Sequence, residues 1–92
     1  MRVLIVEDDA VLRDGLTVGL SIGGFTADVV KTCEEAGAAL TNHEFDALVL
    51  DLMLPDGSGL DVLKSLRERQ DATPVLLLTA RDQVADRIHG LD

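Results

Sequence analysis

The sequence predicts an α/β fold in which a doubly wound, parallel β-sheet carries helices on both faces. Short apolar runs alternate with amphipathic helical segments in the order βαβαβαβα, which is typical of parallel strands joined by crossover helices. Hydrophobic residues make up 47% of the 92 residues and are almost all aliphatic, which suits a small layered core and argues against disorder. Since crossover connections are right-handed, we expect the strand order 2-1-3-4.

The first half of the chain is predicted to form two strands and two helices. Residues 2–6 are a short, continuous, β-branched run, as expected of a buried strand. Residues 9–22 carry leucines at helical spacing and are followed by a Gly-Gly pair, so they are predicted to form a helix that ends there. A second strand spans 25–30, and a Thr-Cys-Glu-Glu capping box opens a second helix over 32–40.

The second half is predicted to form two further strands, at 46–50 and 74–78, and two further helices, at 59–69 and 81–91. A Pro-Asp-Gly-Ser-Gly turn at 55–59 leads into the third helix. The residues of the third helix that are expected to face the core are Leu60, Leu63 and Leu66. The fourth strand would be left as an apolar edge of the sheet.

The chain is acidic, with a formal net charge of −9 and a pI near 4.4. This charge does not favour nucleic acid or an anionic membrane surface as a partner, because both attract Lys and Arg, whereas it suits a cation or a basic protein surface. The first apolar run, residues 3–6, is too short for a secretion signal, and no run approaches the ~18 residues of a membrane span. We therefore expect a cytoplasmic protein with no membrane partner.

Acidic side chains are predicted to meet at one end of the sheet. In an open parallel sheet, ligands bind beyond the carboxyl ends of the strands where the winding direction reverses, which for this order lies between strands 1 and 3. Glu7 and Asp8 follow strand 1, Asp51 ends strand 3, and Thr79 follows strand 4. Three carboxylates and a hydroxyl are therefore expected to converge on one crevice.

The clustered carboxylates predict a divalent cation. Like charges at close range repel one another, and Mg²⁺ relieves that repulsion while preferring oxygen ligands and keeping several waters. We expect Asp8 and Asp51 to bind the ion directly and Glu7 to bind it through water. The backbone carbonyl of Met53 completes the predicted set. Either aspartate of the Asp8-Asp9 pair suits the N-cap of the first helix, and assigning Asp9 to the cap leaves Asp8 for the metal.

An aspartate beside such a cation also suits nucleophilic attack on phosphorus, so Asp51 would form an aspartyl phosphate. Thr79 would donate a hydrogen bond to the phosphoryl group, and Ala80 is small enough to leave room for it. The structural alternatives are that Asp51 organises its loop and that Thr79 caps the following helix.

Three motifs resemble those of the receiver domains of two-component response regulators, in particular those of OmpR/PhoB type. The opening Val-Leu-Ile-Val-Glu-Asp-Asp at 3–9, with Leu12 and Arg13 just beyond, is similar to the acidic pair after the first strand of that family. The run Asp-Leu-Met-Leu-Pro-Asp-Gly-Ser-Gly at 51–59 resembles the phosphoacceptor loop. The sequence Leu-Thr-Ala-Arg at 78–81 is similar to the segment that carries the switch hydroxyl.

This resemblance implies a flavodoxin-like receiver fold and a phosphoacceptor role for Asp51 with Mg²⁺ as cofactor. The phosphoryl group would come from a sensor histidine kinase, so the chain would be a phosphoryl acceptor and not an enzyme. In the OmpR/PhoB branch a receiver precedes a winged-helix DNA-binding domain. The resemblance therefore implies a bacterial transcription regulator whose receiver itself binds no nucleic acid.

The sequence departs from the family pattern at its end. Receivers of this family have five strands and five helices, and a Lys before the fifth strand pairs with the phosphoryl group. This chain ends at Asp92, within the predicted fourth helix. We therefore expect one receiver domain over 1–92 that is C-terminally incomplete, lacking the fifth strand, the fifth helix and an effector domain.

Two other functions stay open on the sequence. A truncated, phosphorylation-incompetent receiver would act as an interaction module, self-associating or forming a swapped dimer through the exposed strand at 75–78 and the fourth-helix region. A hydrolase of the haloacid dehalogenase type also uses an aspartate nucleophile and Mg²⁺. Its Asp-x-Asp motif is not matched by residues 51–53, which read Asp-Leu-Met.

Overall fold

A four-stranded parallel sheet forms the centre of the computed structural model, which describes residues 1–78. In chain order the elements are β1 (Arg2–Val6), α1 (Ala10–Ile22), β2 (Thr26–Val30), α2 (Cys33–Asn42), β3 (Ala47–Asp51), β4 (Met53–Leu54), β5 (Gly57–Ser58), α3 (Gly59–Glu68) and β6 (Val75–Leu78). The main sheet has the order β2-β1-β3-β6, and its pairings are all parallel. The predicted order 2-1-3-4 is thus confirmed, with β6 as the fourth strand. The helix predicted at 81–91 lies outside the described residues.

The turn predicted at 55–59 is part of a short antiparallel hairpin, in which β4 pairs with β5. Pro55 and Asp56 make the reversal between the two strands, as suits a proline that fixes φ and an aspartate that tolerates tight turns. The hairpin leads directly into α3. The N-cap of that helix is Ser58, whose hydroxyl accepts a hydrogen bond from the Leu60 amide at 3.1 Å.

The main sheet is covered on both faces, because alternate residues of a strand point to opposite sides. Leu4 and Val6 of β1 face α2 and α3, whereas Val3 and Ile5 face α1. The larger cluster, under α2 and α3, also contains Ala36, Leu48, Leu50, Val62 and Leu66. The smaller cluster, under α1, also contains Val49 and the partly buried Leu16 and Leu20. This two-sided burial explains why the central strands are continuous apolar runs in the sequence.

The buried face of α3 is rotated relative to the predicted one. Leu60 was expected to face the core, but 52% of its surface is exposed. Gly59, Val62 and Leu66 are the buried residues, and Leu63 is partly buried against the same core. Successive residues are about 100° apart around a helix, so a helix seated on Gly59 turns Leu60 away from the sheet.

The first two helices begin at the predicted capping residues. Asp9 Oδ1 accepts a hydrogen bond from the Val11 amide at 3.0 Å, which confirms Asp9 as the N-cap of α1. Thr32 Oγ1 accepts from the Glu35 amide at 3.0 Å, while Glu35 Oε1 accepts from the amide of Lys31, one residue before the cap. Among the helices of residues 1–78, none combines the length and the apolar character needed to cross a membrane.

Candidate functional site

Three carboxylates meet at the carboxyl end of the main sheet. Glu7, Asp8 and Asp51 each offer one oxygen, and these atoms all lie within 4.8 Å of one another. Because β1 and β3 are adjacent and parallel, with Val6 opposite Leu50, the residues that follow this pair emerge at the same edge. The structure therefore brings together the three acidic residues that the sequence predicted as metal ligands.

Two of these three carboxylates are buried. Only 2% of Glu7 and 4% of Asp51 is exposed, whereas Asp8 is exposed. Backbone amides hold both buried groups: the Asp9 amide donates to Glu7 Oε2 at 3.1 Å, and the Met53 amide donates to Asp51 Oδ1 at 3.1 Å. Each buried carboxylate is thus oriented by the turn that immediately follows its strand.

Burial, together with the neighbouring acids, changes the proton affinity of Glu7. Burial, and then hydrogen bonding to the Asp51 carboxyl, raises the pKa of Glu7 from its ordinary value of 4.5 to about 7, while the Asp9 amide opposes the rise. When no cation is bound, Glu7 is therefore protonated in mildly acidic solution and loses its proton as the pH rises through about 7. A proton on Glu7 and a cation in the cluster both offset its negative charge, so binding of either one disfavours binding of the other.

Gly59 lets the N-terminus of α3 lie directly against the backbone of Asp51. A Cβ atom at this position would overlap the carbonyl oxygen of Asp51 and lie 3.0 Å from its carbonyl carbon. The Gly59 amide donates to the Leu52 carbonyl at 3.2 Å, which closes the loop between β3 and α3. The second glycine of the 51–59 motif, Gly59, is therefore required by this close approach of two backbone segments.

Arg13 is a residue of the site region that the sequence reasoning did not single out for a role. Its Nη1 donates to the backbone carbonyls of Glu7 at 3.4 Å and Asp8 at 3.3 Å, which places a guanidinium beside the acidic turn. Arg13 follows the capping residue Asp9 by one helical turn, so it lies over the start of α1. The four-residue spacing between Asp9 and Arg13 was the feature of the sequence from which this position could have been predicted.

The roles of three other predicted site groups are not tested by the described residues. Thr79 and Ala80 lie outside the described residues, so their phosphoryl roles stay predictions. The Met53 carbonyl as a metal ligand also stays a prediction, although the Met53 amide does hold the neighbouring carboxylate. The end of β6 reaches this loop, because the Leu52 amide donates to the Leu78 carbonyl at 2.9 Å.

This chain matches the family model of the response regulator receiver domain over residues 3–92. The response regulator protein PmrA of Pseudomonas aeruginosa is 54% identical over 92 residues, which cover 100% of this chain and 42% of PmrA. The transcriptional regulatory protein QseB of Escherichia coli O157:H7 is 43% identical over 91 residues, which cover 99% of this chain and 42% of QseB. The chain thus spans less than half the length of these relatives.

A solved structure shares the fold. The response regulator TrrA of Thermotoga maritima, in complex with Mg²⁺ and BeF, superposes with a TM-score of 0.82 at 30% sequence identity. The match covers 89% of this chain and 71% of the TrrA chain.

Proposed function

Because this chain belongs to the family of response regulator receiver domains, we propose that it is a phosphorylation-dependent switch in which Asp51 accepts a phosphoryl group from a sensor histidine kinase. Receiver domains of this family are signalling domains and not conventional enzymes. The relatives PmrA and QseB are a response regulator and a transcriptional regulatory protein, which agrees with the OmpR/PhoB resemblance of the sequence motifs. The proposal places the chain in the bacterial cytoplasm, where it would control transcription through a DNA-binding domain of the whole protein.

The meeting of Glu7, Asp8 and Asp51 within 4.8 Å is the observation that carries this proposal. The donor set fits Mg²⁺, because all three side chains offer hard oxygen ligands and two of them are buried. Asp8 and Asp51 would hold the ion directly, with Glu7 through water and the Met53 carbonyl as a further ligand. When bound, Mg²⁺ would neutralise charge on the attacking carboxylate and on the phosphoryl oxygens. The TrrA structure, which contains Mg²⁺ and BeF, supports this assignment.

Asp51 supplies the nucleophile of the proposed transfer. Its Oδ1 accepts a hydrogen bond from the Met53 amide, so we assign the attack on phosphorus to the other carboxylate oxygen, Oδ2. A bond forms between this oxygen and phosphorus as the bond from phosphorus to the kinase histidine nitrogen breaks, and the imidazole keeps the electron pair. Thr79 would then donate a hydrogen bond to the phosphoryl group, with Ala80 leaving room for it.

Intact mass spectrometry tests the phosphoacceptor role. After incubation with Mg²⁺ and acetyl phosphate, the chain is expected to gain one phosphoryl group, and Asp51→Asn is expected to gain none. Asp14→Asn makes the same change at an exposed aspartate of α1 and is expected to be phosphorylated like the wild type. A wild-type chain without an adduct, or an adduct on Asp51→Asn, would overturn the assignment.

Alanine substitution of the neighbouring residues Asp8 and Asp9 is expected to affect different properties, Mg²⁺ affinity for Asp8 and stability for Asp9. Asp8→Ala removes a proposed ligand and should weaken Mg²⁺ binding at least about tenfold while leaving stability nearly unchanged. Asp9→Ala removes the N-cap of α1 and should cost about 1 kcal/mol of unfolding free energy while Mg²⁺ affinity is kept. Calorimetric titration with Mg²⁺ and urea unfolding measure the two effects, and the reverse pattern would exchange the two roles.

A second candidate function is self-association through β6. This strand lies at one end of the described sheet order, and its Leu76 and Leu77 are 60% and 37% exposed. Edge strands with exposed apolar side chains pair readily with other chains. Light scattering coupled to size exclusion tests this candidate, since a monomer at high protein concentration would count against it and a dimer would support it.

A further inference from the structure

Asp56, in the turn between β4 and β5, binds the start of α2. Its two carboxylate oxygens accept hydrogen bonds from the amides of Cys33 at 2.7 Å and Glu34 at 3.1 Å. The next amide of that helix, on Glu35, is bound by the Thr32 hydroxyl at 3.0 Å. The amides of the first three helical residues have no partner within the helix. Two of these three amides in α2, those of Cys33 and Glu34, are therefore satisfied by a residue more than 20 positions away.

The rest of the hairpin is also seated on α2. The Cys33 thiol lies 3.7 Å from the Ser58 carbonyl, in donating geometry. A Cβ atom at Gly57 would lie 3.3 Å from Cys33 Sγ, tighter than an ordinary van der Waals contact. The hairpin therefore packs against the helix without spare room, and the ion–dipole contact of Asp56 suits the positive end of α2.

The other side of the same hairpin holds the phosphoacceptor. The Met53 amide, at the start of β4, donates to Asp51 Oδ1 at 3.1 Å. Because Met53 pairs with Ser58 across the hairpin, the backbone that binds Asp51 is continuous with the backbone that packs on α2. Asp56 and Asp51 are thus bound to opposite sides of one continuous hairpin.

We propose that Asp56 is a positioning residue for Asp51: by fastening the β4–β5 hairpin to the N-terminus of α2, it fixes the Met53 backbone beside the phosphoacceptor carboxylate. The proposal rests on the function proposed above for Asp51. If Asp56 were only a helix cap, its loss would loosen α2 and leave the Met53 amide unchanged. If it positions the site, its loss also loosens the hydrogen bond from Met53 to Asp51.

Amide hydrogen exchange on the metal-free chain, read residue by residue, separates these two outcomes. Asp56→Ala is expected to speed exchange about tenfold at Met53 as well as at Cys33 and Glu34. The matched control is Asp71→Ala, which removes a partly buried carboxylate that accepts hydrogen bonds from the Thr73 amide at 2.9 Å and the Thr73 hydroxyl at 2.6 Å in the loop before β6. The control is expected to leave Met53 exchange unchanged.

The second measurement is the initial rate of phosphorylation by acetyl phosphate. Asp56→Ala should slow it roughly five- to tenfold, because a mispositioned group loses rate even when it is still present. Asp56→Asn, which keeps the shape and an oxygen acceptor, should recover part of that loss, and it replaces the alanine variant in both measurements if that variant does not fold.

Faster exchange at Cys33 and Glu34 alone, or equal effects of Asp56→Ala and Asp71→Ala, would overturn the positioning role. The exchange measurement needs neither Mg²⁺ nor a phosphodonor. A wild-type chain that takes up no phosphoryl group would therefore contradict the proposed function while the test of Asp56 still returned its own answer.

Discussion

Gly59→Ala is expected to destabilise the chain by about 3 kcal/mol or more, one of the largest single effects in the described fold. The new Cβ would overlap the Asp51 carbonyl oxygen, and both partners in that clash belong to backbone segments that cannot rotate away. Relief requires α3 to move off the end of β3, which would also open the contacts of Val62 and Leu66 with the core. The helix-forming preference of alanine, about 1 kcal/mol, is too small to offset this.

Gly37→Ala is the matched control for Gly59→Ala. Gly37 lies within α2, and a Cβ there would meet no other atom within 4 Å. Alanine at this site is therefore expected to stabilise the chain by about 0.5 to 1 kcal/mol. Urea unfolding followed by circular dichroism suits both variants, since the chain has no Trp or Tyr for fluorescence. A Gly59→Ala midpoint equal to that of the wild type would show that α3 is not held against Asp51.

The strand order and the acidic cluster were predictable from the sequence, and for one reason. Each depends on where a strand ends, and strand ends here are marked by abrupt changes from apolar to acidic residues, as between Val6 and Glu7. Parallel strands in a known order then place Glu7, Asp8 and Asp51 at one edge without any knowledge of side-chain geometry. The short Pro-Asp turn was equally readable, because its residue types restrict the backbone directly.

The parts that were missed depend on packing between segments distant in sequence. Leu60 was misassigned because a helical stripe read from spacing alone can be rotated by one residue, and the contact of Gly59 with Asp51 sets the actual rotation. The bonds from Asp56 to α2 join residues 22 and 23 positions apart, a separation at which no local pattern operates. Tertiary contacts of this kind become visible only once the layers are assembled.

Without metal, the stability of the chain is expected to fall as the pH rises. Unfolding free energy is expected to fall by on the order of 2 to 3 kcal/mol as the pH rises from about 4.5 to 8 in the presence of EDTA. The pKa of Glu7 is about 7 in the folded chain against an ordinary value of 4.5, so within this window the folded state binds more protons than the unfolded state. Stability therefore decreases with rising pH until Glu7 is ionised in both states. The lowered pKa values of Asp56 and Asp71 have the opposite effect, since they make stability fall as the pH falls, and they act mainly below about pH 5, at the acid edge of this window.

Three variants identify the group behind this slope. Glu7→Gln keeps the shape of the side chain without its ionisation and should flatten the slope, whereas Glu44→Gln makes the same change at an exposed glutamate and should keep it. Asp51→Asn removes one of the repelling carboxylates and should raise the metal-free stability at pH 8 by about 1 to 2 kcal/mol. A slope that persists in Glu7→Gln would assign the pH dependence to a different group.

Mg²⁺ is expected to reverse the loss of stability at high pH, because an ion that binds only the folded state stabilises it by mass action. At 100 times the dissociation constant the gain is about 2.7 kcal/mol, comparable to the loss from ionising Glu7. The gain should grow from pH 5 to pH 8, since the ion must displace the proton held by Glu7. Melting temperatures with Mg²⁺ and with EDTA at both pH values measure it, and Asp51→Asn should show almost none of the shift. A shift equal at pH 5 and pH 8, or one that survives Asp51→Asn, would mean that the ion binds somewhere other than the cluster of Glu7, Asp8 and Asp51.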